Sequence, residues 1–155
     1  AKIMAAAEQA SSLKTDALDA LMTAFTDEDS AVRYWAAMGL LMRGEAGVSL
    51  GRDQLRKALG DESPHVRIAA AEALGRYGNK EDITAALSVL LTLASPVDNG
   101  IYTSMSALNA IDYLDANAAP IADMVAELPD EDPNANGRMS AYAKNLIDKT
   151  LSDLK

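Results

Sequence analysis

The chain carries one histidine, His65, and no cysteine. Nucleophilic chemistry would therefore have to pair a serine with that single imidazole, because a hydroxyl attacks only when a base takes its proton. His65 follows Ser63-Pro64. There Ser63 reads as the cap that satisfies free N–H groups of a starting helix, and Pro64 as its first residue. An imidazole in a first turn, with no cleft-forming neighbour, reads as a solvated surface group rather than a general base. The other oxygen-rich stretch is Asp132-Pro-Asn134-Ala-Asn136-Gly137. It places donors at positions 1, 3 and 5 of a calcium loop and glycine at 6. Position 12 would be Ala143, where the loop needs a bidentate carboxylate. The stretch reads as a turn with a helix cap at Asn136. Zinc spacings and glycine-rich phosphate loops do not occur. The expectation is a chain with no catalytic constellation, no metal, no cofactor and no small-molecule substrate.

Charge narrows the partners. Net charge is −9, and from Glu81 to Gly137 ten acidic residues stand with no lysine or arginine. The remainder is nearly balanced, fourteen basic against thirteen acidic. An acidic half repels polyanions, so nucleic acid and sulfated polysaccharide are poor partners for it. It reads as a solvated face that maintains solubility. No apolar run is long enough to span a bilayer, and no signal peptide is present. The absence of cysteine fits compartments on either side of a membrane.

The elements that would position these residues are organised around Asp61–Gly78. Val66, Ala70, Ala73, Leu74 and Tyr77 recur as one face of a helix, and Gly78 suits a left-handed stop. The same pattern stands 34 residues earlier. Asp27, Val32, Arg33, Leu40 and Gly44 match Asp61, Val66, Arg67, Leu74 and Gly78, and Leu21 and Ala24 match Leu55 and Ala58. A third copy is marked by Val89, Leu93, Tyr102, Ala107 and Leu108. Three registered helix–turn–helix units predict an all-α solenoid, an α/α superhelix of about four helix pairs. The predicted helices are Thr15–Phe25 with Arg33–Met42, Gly51–Leu59 with His65–Tyr77, Asp82–Ala94 with Ile101–Leu114, and Pro120–Leu128 with Arg138–Leu154. The repeats run about 15–44, 49–78, 82–114 and 117–154. A helix within 1–12 precedes them, with Ile3, Met4 and Ala7 on one face. The 155 residues read as one domain, and the chain, lacking an initiator Met, as a fragment of something longer.

The run Leu55 to Gly75, with Leu-Gly-Asp, then Val66-Arg67, then Ala70-Ala71 and Ala73-Leu74-Gly75, resembles the HEAT repeat, in particular its short bacterial variety. The resemblance implies a polar ladder between neighbouring repeats, built from the Asp before the second helix and the Arg at its start. Those roles fall to Asp27, Arg33, Asp61 and Arg67. The third copy has Ser95 and Ile101 at these places, so the ladder is expected to end after two rungs. More narrowly, Ala31–Gly44 with its Arg33-Tyr34-Trp35-Ala36-Ala37, together with Ser63–Gly75, is similar to the helical-repeat region that follows the catalytic domain in some bacterial sulfatases. This likeness implies an accessory, interaction-mediating domain, periplasmic or extracellular, whose protein partner is its own upstream catalytic domain or another subunit. The cytoplasm stays open. A sulfatase nucleophile sits in Cys/Ser-x-Pro-x-Arg, and neither Ser63-Pro64 nor Ser95-Pro96 has that spacing. The alternative is a free-standing scaffold or adaptor that binds another protein. A HEAT-like lyase of the kind that attaches bilin chromophores finds no supporting residue. Trp35, Met38 and Met42 share a helical stripe that is apolar in one repeat only. It is read as packing on the N-terminal helix or as a docking patch for a neighbouring domain or subunit.

Overall fold

The computed structural model describes residues 1–136, 139 and 142–154. Those residues form eleven α-helices and no strand. The helices are α1 (Lys2–Ser11), α2 (Leu18–Ala24), α3 (Ser30–Leu41), α4 (Gly44–Leu50), α5 (Arg52–Ala58), α6 (Pro64–Tyr77), α7 (Lys80–Leu93), α8 (Pro96–Asn99), α9 (Ile101–Asp112), α10 (Ala122–Ala126) and α11 (Tyr142–Asp153). Short 3-10 segments cover Thr15–Ala17 and Asp115–Ile121. No described helix is long and apolar enough to cross a membrane.

The architecture is an α/α solenoid. Its second helices pack in sequence, α3 on α6, α6 on α9 and α9 on α11, with α1 laid against α3 in front of them. The first helices α2, α5 and α10 lie on their own partners, and α7 packs against both α6 and α9. The 34-residue spacing survives as a burial pattern. Ala36, Ala70 and Ser104 are fully buried, as are Leu40, Leu74 and Leu108. Each triplet repeats one slot in successive second helices, so the core is one layer read three times.

Small residues let the layers approach. α1 buries Ala6 and Ala10, not the expected face of Ile3 and Met4, which stay 41% and 65% exposed. The reason is distance: a Cβ added at Gly39 on α3 would stand 3.2 Å from the Ala10 Cα and 2.7 Å from Leu21 Cδ1. Only the thin alanine face of α1 fits so close to α3.

Helix ends depart from expectation in instructive ways. Ser63 occupies the cap position of α6, but its hydroxyl makes no capping bond. Asp61 takes over, accepting the Ser63 N–H at 2.8 Å. Gly78 is extended (φ −81, ψ 176) rather than left-handed. A Cβ there would meet the Asp82 Cβ at 2.5 Å, because Asn79 and Asp82 form a capping box directly behind it. Its counterpart one repeat earlier, Gly44, is left-handed (φ +61) and turns the chain into α4, an inter-repeat helix the sequence did not announce. α7 starts at once from Asn79, without such a linker, and its register slips: Leu90 is fully buried where Val89 was expected and Val89 is half-buried. Pro120 lies inside a 3-10 segment rather than at a first turn. In α11 the buried residues are Ala143, Ile147 and Thr150; the expected start at Arg138 lies outside the described residues, as does Gly137.

Candidate functional site

The side chain that joins two repeats is Arg33, on the first turn of α3. It donates from Nε to Asp61 Oδ2 at 2.7 Å and from Nη2 to Asp61 Oδ1 at 2.9 Å, a bidentate fork matched to the carboxylate. Nη1 donates to the backbone carbonyls of Asp27 and Glu28 at 2.8 and 3.0 Å, and Nη2 also reaches Glu62 at 3.0 Å. The Arg33 and Asp61 side chains are only 10% and 12% exposed. The Arg33 guanidinium, with the Ser63 N–H, holds the Asp61 carboxyl below the ordinary carboxylate range, against the opposing effect of burial. One residue thus closes its own loop and grips the next repeat.

The other two ladder residues do not repeat this. Asp27 uses its carboxylate backward, on Lys2 of α1 at 2.7 Å and on the Asp29 N–H at 2.9 Å. The Arg67 side chain makes no hydrogen bond or ion pair with any described residue, and its Nε is buried without a partner. The expected second rung is therefore not formed. The next position in register is Ser95, whose hydroxyl is spent on Asp98 at 2.6 Å. A neutral hydroxyl already committed to its own helix start offers Arg67 nothing to reach.

Further ties were not legible beforehand. Asp82 is 1% exposed and accepts from Arg56 Nε at 2.6 Å and from the Asn79 N–H at 3.0 Å; Arg52 Nε approaches to 3.3 Å. Arg43 spreads over the ends of α1 and α3, donating to the carbonyls of Ala10, Gly39 and Lys14 at 3.0, 2.7 and 3.1 Å. An Asp in the N3 place after Asn79 was the available signal for the first. Nothing in the pattern around Arg43 pointed to its role.

The stripe Trp35, Met38 and Met42 is graded. Trp35 and Met38 are half-buried, and Trp35 meets the Tyr34 ring edge-on at 5.6 Å between centroids. Met42 is 42% exposed and opens into a groove of about 390 Å3, walled also by Leu13, Leu18, Ala46 and Leu50. Leu13 and Leu50 are 58% and 63% exposed, and Leu13 is held at φ +54, a conformation that β-carbon-bearing residues avoid. Three large apolar side chains around one groove, one of them on strained backbone, make this the strongest candidate site on the molecule.

The residues that could do chemistry are placed otherwise. His65 is exposed in an open depression with Ser30, Ser63 and Tyr34, and hydrogen-bonds to neither serine. Asp132, first in the calcium-like stretch, is 7% exposed because its carboxylate caps α9, accepting the Ile101 N–H at 3.1 Å and the Asn134 N–H at 2.8 Å. Its oxygens are already engaged, and the Gly137 position lies outside the described residues. Among the described residues no three His, Cys, Asp or Glu side chains gather as a metal would require.

Residues 42–108 match the family described as HEAT repeats. The match covers less than half of the chain and spans α4 to α9, which supports a HEAT-like repeat domain. That fold is typically non-catalytic and generally mediates protein interaction. No curated protein matches the chain.

Proposed function

We propose that this chain is a non-catalytic helical-repeat scaffold that binds another protein through the apolar groove at the ends of α1 and α3. The observation that carries the reading is the exposure of Leu13, Met42 and Leu50 around an unfilled groove of about 390 Å3. Burying such side chains is favourable at about 25 cal/mol per Å2, so a partner with matching apolar anchors gains most here. Arg43 and the Arg33–Asp61 fork fix the helices that carry the groove. Binding therefore costs little ordering of the scaffold. The half-buried Trp35 and Met38 extend the same face along α3.

The test is a photo-crosslinking side chain placed at Leu50 and, as control, at the exposed Lys57 on α5. Crosslinks at Leu50 that Met42→Glu abolishes while leaving the helical content intact support the reading. Equal crosslinking at Lys57, or insensitivity to Met42→Glu, overturns it.

The finer reading takes the partner as the catalytic domain of a sulfatase-like hydrolase upstream in the same polypeptide, in the periplasm or outside the cell. Its support is the sequence likeness of Ala31–Gly44 and Ser63–Gly75 alone. A formylglycine motif encoded upstream of Ala1 is its test. Without one, the free-standing adaptor is the better account.

A further inference from the structure

A second concavity lies farther along the repeats, where the C-terminal tips of α6 and α9 meet the following 3-10 segment. It is a notch of about 270 Å3 walled by Arg76 and Tyr77 of α6, by Tyr113 at the end of α9, and by Asp115 and Asn117. Small-molecule pockets begin near 300 Å3. The notch is suited to a single side chain instead.

Several independent features favour a cation there, with Arg76 the one opposing charge in the lining. Two helices of fourteen and twelve residues end here. Each presents a C-terminal pole worth about half a negative charge. Asp115 is exposed and forms no ion pair with any described residue. Its backbone sits at φ +48, a conformation that Asp tolerates better than most residues. Tyr113 is 56% exposed, and aromatic faces attract cations. The neighbouring Tyr77 shows the principle at work, since the Arg76 guanidinium lies over its ring at 5.3 Å. Arg76 is itself engaged by Glu72 at 3.2 Å, which reduces its repulsion of an incoming cation. The surrounding sequence, Glu81 to Gly137, supplies ten carboxylates and no base.

We infer that this notch receives a lysine or arginine side chain of a protein partner, with Asp115 holding its charge and the Tyr113 ring covering its alkyl stem. The inference rests on the protein-binding reading but uses a surface separate from the Leu13–Met42–Leu50 groove. It also assigns the partner a chemistry: a basic segment, which the acidic half attracts over about a Debye length before the notch selects it.

The experiment is an amide-shift titration of the 15N-labelled chain with a Gly/Ser peptide carrying lysines and leucines, and with the same peptide carrying glutamate for lysine. The lysine peptide should move the Tyr77, Tyr113 and Ala116 resonances, weaken with added salt, and lose about tenfold in affinity with Asp115→Lys. Asp115→Asn should lose less, and the glutamate peptide should shift nothing. Tyr113→Ala, with unchanged helical content, should weaken binding as well. Shifts scattered over Asp123, Glu127 and Asp130, or equal affinity for Asp115→Lys, overturn the inference. So does an absence of shifts. Crosslinking at Leu50 reads the groove independently, so either result can fail while the other stands.

Discussion

Arg33→Ala removes the guanidinium that ties the first repeat to the second, and its cost can be worked from the contacts. Truncation takes two hydrogen bonds from Asp61 and the Nη1 donor from the carbonyls of Asp27 and Glu28. Removing one partner of a buried ion pair costs about 3–5 kcal/mol, because the other charge is left without compensation. Asp61 keeps the Ser63 N–H, and Glu62 is 84% exposed and contributes little, so the lower end of that range applies. A loss of about 3 kcal/mol, over an m-value of about 2 kcal/mol/M for a chain of this size, lowers the urea midpoint by about 1.5 M. Arg67→Ala, which removes no described bond, should stay within about 1 kcal/mol. The comparison uses far-ultraviolet circular dichroism, with Asp61→Ala and the double variant closing a thermodynamic cycle. A reduced m-value for Arg33→Ala means that the first repeat unfolds separately, as solenoids allow. The acid limb adds a sign. Asp61 titrates below its ordinary 3.8 when folded, so its contribution is present above that pH and disappears as pH falls through the depressed value. Arg33→Ala should flatten that limb. Equal midpoint shifts for Arg33→Ala and Arg67→Ala would refute the single-rung account.

Trp35→Ala should cost about 2 kcal/mol, between the figure for a buried aromatic and that for a surface site. The single indole should show partial quenching by iodide; full quenching or none contradicts its half-buried place. Glu72 titrates above its ordinary 4.5 because burial outweighs the Arg76 bond, so its contribution is full below that value and is lost as pH rises through the folded one. Glu72→Gln should therefore be the more stable protein at neutral pH, and a less stable variant would show the Arg76 pair winning. Asp132→Ala strands the Ile101 N–H and should cost about 1–2 kcal/mol, while calcium leaves the melting temperature of the parent chain unchanged. A calcium-dependent rise would contradict the capping role.

The parts legible in the sequence are those where one residue type serves one slot in every copy. Leu40, Leu74 and Leu108 face the same core position because the helical period and the repeat period agree, and spacing alone exposes that. What stayed hidden depends on how neighbours approach. Ala6 and Ala10 form the contact face of α1 because α3 offers a glycine there, which hydrophobicity ranks below Ile3 and Met4. α4 was masked because Gly44 reads equally as an end and as a turn into another helix. The ladder was half legible: its Asp and Arg can be matched by position, but a rung requires the Arg of one repeat and the Asp of the next, and only Arg33 with Asp61 meets that condition. The groove at Leu13, Met42 and Leu50 joins residues from three separate segments, and no linear pattern contains it.

Where the ladder stops, the means of joining repeats changes. After the Arg33–Asp61 rung, buried carboxylates start helices as well as joining repeats: Asp82 closes the box that opens α7 while accepting from Arg56 of α5, and Asp132 reaches back to cap α9. This uses a few acidic groups of the Glu81–Gly137 region internally and leaves Asp98, Asp115, Asp123, Glu127, Asp130 and Glu131 exposed. The first repeat, in contrast, spends its arginines internally and leaves apolar side chains outside. The two concavities therefore differ in kind, apolar at Leu13 and Leu50, acidic and aromatic at Tyr113 and Asp115. A partner that touches both must carry its apolar anchors and its basic residues in a fixed order. Direction, as well as affinity, is then set by the scaffold, since reversing the partner would place cations against the groove and apolar groups against carboxylates.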